Sequence, residues 1–300
     1  MSDKNNTPVR EVSIVLGNDP HARPIKEGKI ESPGLKLNFT EYEPLNKAFD
    51  VMVQELAYDM CEMAVGTFFQ ALDSGKPLRL VPVVMGGEFH HGSLWFEPAN
   101  GPLKPEDLAG RRVGVRAYTQ TTGIWVRGIL QEQYGVSPDK VTWVTSEAPH
   151  VAEYTNPPNV ELAAGANLAE MVRSGELAAV IIGPKQGTGA GLQCLIPDLD
   201  AAIGDWYAKH QTVPVNHMVV VTDDLLKKDP AAVREIYSML KQAHESNPPP
   251  ASGSYPSAIR FGVQSVWKPL QLVMQYAVEQ KLISRVFDKN EVFAQMIDFD

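Results

Sequence analysis

Several short segments of the chain carry side chains able to hold an anion or move a proton. The first is Asp19-x-His21-x-Arg23, just past an apolar stretch at 12–16 that reads as a strand. In open α/β sheets ligands lie beyond the carboxyl ends of strands, where this segment falls. The planar fork of Arg23 suits a carboxylate through two parallel hydrogen bonds. His21 titrates near neutrality and can give or take a proton. A solvated polar loop is the alternative reading. The second segment holds Glu88, His90, His91 and Ser93. In a strand the paired histidines face opposite sides, so only one reaches a cleft. With Glu88 and a distant histidine they form the chain's candidate for a divalent metal, although the spacing matches no zinc motif. Ser93 is a candidate hydrogen-bond donor, and without a G-x-S-x-G context it is not expected to be a nucleophile.

The third segment, Tyr118-Thr119-Gln120-Thr121-Thr122-Gly123, opens a strongly helical stretch. Free N–H groups at a helix start bind anions, the threonine hydroxyls add donors, and Gly123 permits close approach. An ordinary threonine cap is the alternative. Arg127, a turn further on, either reaches the cleft or serves a structural salt bridge. The fourth segment is Gly183-Pro184-Lys185, in a loop expected to face the same cleft. It is neither a phosphate-binding loop nor a dinucleotide fingerprint. Last, His217 opens an apolar run, where it is either a core histidine or a hinge residue able to meet a ligand.

The elements that must position these residues alternate between strand and helix, which favours a mostly parallel sheet covered by helices. Strands are expected at 12–16, 35–40, 60–65, 78–84 and 93–96, the last two completing a first cluster. Further strands are expected at 113–115, 141–145 and 178–182, and the apolar run 215–221 is expected to lead back into the first cluster. Helices are expected at 67–73, 121–134, 168–174, 230–244, 263–279 and 290–297, and loops at 147–166 and 247–257. Asp229 followed by Pro230 is a helix start, a capping carboxylate before a residue whose missing N–H costs nothing there. The layout is one lobe from residues 1–105 and 214–300, with a second lobe, 106–213, inserted in it.

With 300 residues and 44% hydrophobic content, the chain can bury a sizeable core. A formal net charge of -9 argues against a general nucleic-acid binder. No run reaches the length of a membrane span, so no membrane partner is expected. The polar start, and an apolar stretch too short for a signal core, lead to the expectation of a cytoplasmic protein. Cys61 and Cys194 lack metal-type spacing and read as buried free thiols. A homo-oligomer is expected by base rate.

Taken together, these segments resemble the family of 4,5-dihydroxyphthalate decarboxylases, itself similar to the type II periplasmic binding proteins of transport systems. The most specific part is Gly114-Val115-Arg116-Ala117-Tyr118, running through Thr121-Thr122 to Ile124-Trp125-Val126-Arg127-Gly128-Ile129-Leu130. Asp19-x-His21-x-Arg23, Phe89-His90-His91-Gly92-Ser93 and Pro214-Val215-Asn216-His217 also fit, while the piece 108–115 is shared by many binding proteins. The resemblance implies a two-lobed α/β fold of the type II binding-protein kind, with a ligand cleft between the lobes. It also implies decarboxylation of a hydroxylated aromatic acid without an organic cofactor. Arg23 would hold one carboxylate, and the Thr121–Thr122 helix start would hold a second or a ring hydroxyl. His21, His91 or His217 would protonate the ring carbon. Gly17-Asn18 departs from the more aromatic stretch expected there, which removes ring stacking and puts phthalate itself in doubt. The alternative is a non-catalytic binding protein for a small anion. Another enzyme on this scaffold, acting on a pyrimidine or menaquinone precursor, is the third reading.

Overall fold

The alternation of strands and helices resolves into two separate sheets. The computed structural model describes residues 9–248, 254–293 and 299. In chain order its strands are β1 (Arg10–Val15), β2 (Leu35–Phe39), β3 (Met60–Ala64), β4 (Leu78–Gly86), β5 (Leu94–Phe96) and β6 (Arg112–Val115). They continue with β7 (Thr142–Thr145), β8 (Val160–Leu162), β9 (Ala179–Ile181), β10 (Gln193–Cys194) and β11 (His217–Thr222). The first sheet has the order β2-β1-β3-β11-β4 and the second β10-β5-β9-β6-β7-β8. β1 is parallel to β2 and β3, whereas β11 runs antiparallel between β3 and β4. In the second sheet β6 to β9 form the parallel part, with β5 and β10 antiparallel at one side. Strands covered on both faces read as continuous apolar runs, and β3 and β9 are buried at every residue. The fold is α/β and two-lobed.

Two sequence expectations change here. Residues 94–96, grouped with the first cluster, pair with β9 in the second sheet. A three-residue strand buried throughout has no alternation to reveal which sheet it joins. The second concerns Arg127, which does not reach the cleft and, among the described residues, forms no salt bridge. It is wholly buried, donating from Nε to Gln280 Oε1 at 2.6 Å and from Nη2 to the Tyr118 carbonyl at 2.6 Å. Its guanidinium lies over the Tyr118 ring, 4.1 Å from the centroid.

The helices Thr121–Tyr134 and Val263–Glu279 form at the bounds their periodicity predicts. They pack so closely that a Cβ at Gly128 would stand 2.3 Å from the Tyr276 ring. Trp125, fully buried in the same joint, donates its indole N–H to the Val215 carbonyl at 2.8 Å. Burying a side chain of this kind stabilises by about 1.5–3 kcal/mol or more. The Asp229 cap is formed, its side chain accepting from the Ala232 N–H at 3.0 Å. Helices Lys47–Glu55 and Leu199–His210 were not anticipated. The former buries Ala48, Phe49, Met52 and Val53, a single face of a short helix just after Pro44. The loop 147–166 contains the short β8. Of the expected terminal helix 290–297, Lys289–Val292 is helical, and residues 294–298 lie outside the described residues, as do 1–8 and part of the loop 247–257. Both cysteines are free, Cys61 buried and Cys194 only partly so. Among the described residues no helix is long and apolar enough to cross a membrane.

Candidate functional site

At one end of the central strands of the first sheet, β1 and β3 finish where β11 begins. His217, the first residue of β11, pairs with Ala64, the last of β3. Glu62, two residues back on the same face, is therefore the diagonal neighbour of His217. The two side chains meet at 2.9 Å, His217 Nδ1 to Glu62 Oε1. The other carboxylate oxygen accepts the Gly17 N–H at 2.8 Å from the chain leaving β1. Glu62 is only 2% exposed, whereas the His217 side chain keeps 29% of its surface. Burial alone would raise the Glu62 pKa, but the hydrogen bonds from His217 and Gly17 outweigh it and hold this carboxyl below its ordinary range. Asp19 shows the opposite result. Burial, reinforced by the negative charge of Glu62, pushes its pKa up to about 6.

Two helix starts converge beside this pair. The helix Val65–Asp73 follows β3 without a loop, and its Gly66 N–H donates to Thr121 Oγ1 at 3.0 Å. Thr121 opens the helix Thr121–Tyr134 on the other side of the cleft. Only a glycine fits at 66, because a Cβ there would lie 2.9 Å from the Thr119 carbonyl oxygen. Each start carries the positive end of a helix dipole, although at Val65–Asp73 the first two N–H groups are taken, Val65 by the Asn216 carbonyl at 2.9 Å and Gly66 by Thr121.

Between them lies a cavity of about 260 Å³, lined by Phe49, Thr67, Arg116, Thr121, Thr122, His150 and His217 among others. It shares Asn46, Arg116, Gln120 and His150 with a wider groove of about 1010 Å³. His150 comes from the loop after β7, and its Nδ1 is 3.0 Å from Thr67 Oγ1. Its carbonyl accepts from Gln54 at 3.2 Å, so the unanticipated helix Lys47–Glu55 helps to hold it. Burial lowers the His150 pKa and favours the neutral ring. The rings of His150 and His217 each meet Phe49 edge to face at 5.6 Å. Arg116 pairs with Glu147 at 2.5 Å in a partly exposed contact.

Of the residues singled out in sequence, His217, Thr121 and Thr122 line this cavity, and Asp19 lies beside Glu62. The others fall elsewhere. Arg23 is exposed on the short helix Arg23–Lys26 and donates to the Asn18 carbonyl at 3.3 Å. His21 is 4% exposed, set edge to face against His244, and burial pushes its pKa down to about 4. Tyr118 is buried and donates its hydroxyl to the Gln280 carbonyl at 3.2 Å. Lys185 sits exposed in the helix Pro184–Gly189, although its neighbour Gln186 borders the wider groove. Ser93 is buried at the end of the turn His90–Ser93. His90 stacks on Trp125, and His91 Nε2 meets Gln133 Oε1 at 2.9 Å. Among the described residues no group of three His, Cys, Asp or Glu side chains is arranged to hold a metal ion. The metal site considered at Glu88, His90 and His91 is therefore not formed, because both imidazoles point into the core.

Glu62, Arg116, Phe49 and His150 were given no role from sequence. Glu62 had a visible signal, being the one charged residue in Met60–Ala64, an otherwise apolar strand. His150 had none, because its place depends on how a loop folds back across the cleft.

No family model matches the chain. Among curated proteins it is similar to a 4,5-dihydroxyphthalate decarboxylase from Comamonas testosteroni, at 28% identity over 73% of this chain and 70% of that one. It is 30% identical to a 4,5-dihydroxyphthalate decarboxylase from Pseudomonas putida, over 65% of this chain and 81% of that one. Among solved structures it is similar to the alkanesulfonate-binding protein SsuA from Xanthomonas axonopodis pv. citri bound to MOPS. That match has a TM-score of 0.60 at 13% identity and covers 96% of this chain and 99% of that one. The periplasmic aliphatic sulphonate binding protein SsuA from Escherichia coli matches with a TM-score of 0.61 at 14% identity, over 98% and 94% of the two chains. The desulfurization enzyme DSZB matches with a TM-score of 0.52 at 14% identity, over 95% and 97%. The fold is that of the type II periplasmic binding proteins, and enzymes as well as binding proteins use it. The expectation of a cytoplasmic location is corrected by these likenesses, since the solved structures sharing the fold include a periplasmic binding protein. By sequence, the chain belongs to the 4,5-dihydroxyphthalate decarboxylase family.

Proposed function

We propose that the cleft binds a small organic anion, held between the starts of the helices Val65–Asp73 and Thr121–Tyr134 and closed in by movement of the lobes. The observation that supports this reading is the convergence on one cavity of two helix N-termini, the Arg116 guanidinium and the threonine hydroxyls. At about 260 Å³ the cavity suits a single-ring acid better than a larger ligand. An anion placed there exchanges its hydration for fixed donors, and Arg116 releases Glu147 to meet it. Calorimetric titration with 4,5-dihydroxyphthalate, phthalate and an alkanesulfonate tests the reading. Saturable binding that weakens in Thr122→Val and Arg116→Ala is the expected result, and an absence of binding across the panel would remove it.

A second reading, decarboxylation of a hydroxylated aromatic acid, is favoured by one feature that simple binding does not need. His217 faces the cavity with a buried carboxylate behind it. In this reading the ring hydroxyl feeds electrons into the ring, and the carbon bearing the carboxylate takes a proton from His217. The carbon–carbon bond to that carboxylate then breaks, its electron pair restores aromaticity, and carbon dioxide leaves. His217 regains its proton from water. Preorganised positive dipoles around the cavity favour the movement of charge. Release of carbon dioxide from 4,5-dihydroxyphthalate, measured against His217→Ala, separates the two readings. Tight binding with no release leaves the binding protein.

A further inference from the structure

We infer that Glu62 is a positioning residue, which fixes the proton of His217 on Nδ1 and so leaves Nε2 as the nitrogen that works in the cavity. The consequence for turnover rests on the decarboxylation reading above, whereas the placement of the proton does not.

The hydrogen-bond inventory around Glu62 carries the inference. Its two oxygens have two committed donors, the Gly17 backbone N–H at 2.8 Å and His217 Nδ1 at 2.9 Å. An ionised carboxylate only accepts, so Nδ1 must carry a hydrogen in the neutral ring as well as in the charged one. In the neutral ring Nε2 then presents a lone pair, and in the charged ring an acidic N–H. The placement is held because β11 and β3 are laddered neighbours and Glu62 is 2% exposed. Gly17 is part of the same fit, since a Cβ there would lie 3.0 Å from both Glu62 Oε2 and Asp19 Oδ2. The charged and titratable groups facing this centre are Asp19, His21 and Lys26 from the segment after β1, with Arg116 and His150 across the cavity. Of the two neighbouring carboxyls, Glu62 keeps the charge because it owns both donors.

Glu62→Gln separates positioning from mere packing. The amide has nearly the same shape but one acceptor in place of two. The Gly17 N–H belongs to the backbone and cannot reorient, so the amide oxygen goes to it and the amide NH₂ then faces His217. A donor facing Nδ1 forces the neutral ring into its other tautomer, with the hydrogen on Nε2. Nitrogen-15 NMR of the His217 ring in the ligand-free protein, at a pH where the ring is neutral, reads this directly. The expected result is Nδ1–H in the parent protein, Nε2–H or a mixture in Glu62→Gln, and Nδ1–H again in Glu62→Asp if the shorter carboxylate still reaches. The same tautomer in parent and Glu62→Gln overturns the inference. In turnover of 4,5-dihydroxyphthalate, Glu62→Gln should lower kcat at least tenfold with KM changed less than about threefold. A KM effect alone would overturn the consequence for turnover. If the parent protein releases no carbon dioxide, the decarboxylation reading fails and the tautomer measurement still decides the role of Glu62.

Discussion

The chain places histidines in two contrasting settings. His90 and His91 lie side by side in sequence and are almost wholly buried, at 0% and 1% exposure, packed against Trp125 and Trp206. Burial pushes their pKa values down to about 3 and about 4, so both are neutral at physiological pH. Neither His90 nitrogen has a hydrogen-bond partner among the described residues. His217 stands alone in sequence, yet it has a buried carboxylate on one side and the cavity on the other. A pair of histidines attracts notice in a sequence. Chemistry depends on an asymmetric environment, with a fixed charge behind the ring and open space before it.

The largest expected effect follows from that contrast. If the decarboxylation reading holds, His217→Ala should lower turnover by about 100-fold or more, the typical contribution of a positioned acid. His91→Ala should leave turnover per folded molecule unchanged while costing stability through the cavity it creates. Assays of both variants at matched folded fraction check this, and equal losses would erase the distinction.

Next in size is Gly66→Ala, where the new methyl meets the Thr119 carbonyl oxygen, Thr121 Oγ1 and Ile124 within 3.0 Å. Prying the two helix starts apart should cost about 1–3 kcal/mol in denaturant unfolding. It should also weaken anion binding, which a substitution among the core histidines should not do.

The third effect concerns pH. An unfolded histidine takes up a proton below its ordinary value of 6.5, whereas folded His90 and His91 resist until about 3 and about 4. The unfolded chain therefore binds more protons in that window, and stability falls as pH drops from 6.5 towards 4. His90→Leu should flatten this part of the stability profile and, by removing two unpartnered polar atoms, leave neutral-pH stability unchanged or slightly higher. Unfolding midpoints from pH 4 to 7 check it, and an unchanged slope would show that His90 is charged in the folded protein.

Much of the architecture was legible in sequence, because the long helices and apolar strands repeat their periods over enough residues to be read. The helix Thr121–Tyr134 is the clear case, with both its bounds and its place at the cleft following from one pattern. The site was less legible. Arg23 has the right chemistry just beyond a strand, but a short helix turns it to solvent. Arg116 lies within the stretch that carries the resemblance most specifically, but nothing in its spacing assigned it a role, and yet it lines both cavities. Glu62 and His217 are 155 residues apart in sequence and become neighbours only through the pairing of β3 with β11. No local spacing records a contact made by sheet register.

The most direct test of the central claim, that an anion is held between the two helix starts, is calorimetric titration of 4,5-dihydroxyphthalate into the parent protein, Arg116→Ala and Arg23→Ala. Loss of a charged hydrogen bond costs about 1.5–3 kcal/mol, so Arg116→Ala should weaken binding roughly ten- to hundredfold, with Arg23→Ala indistinguishable from the parent. Full affinity in Arg116→Ala together with loss in Arg23→Ala would contradict the account and return the ligand to the segment after β1.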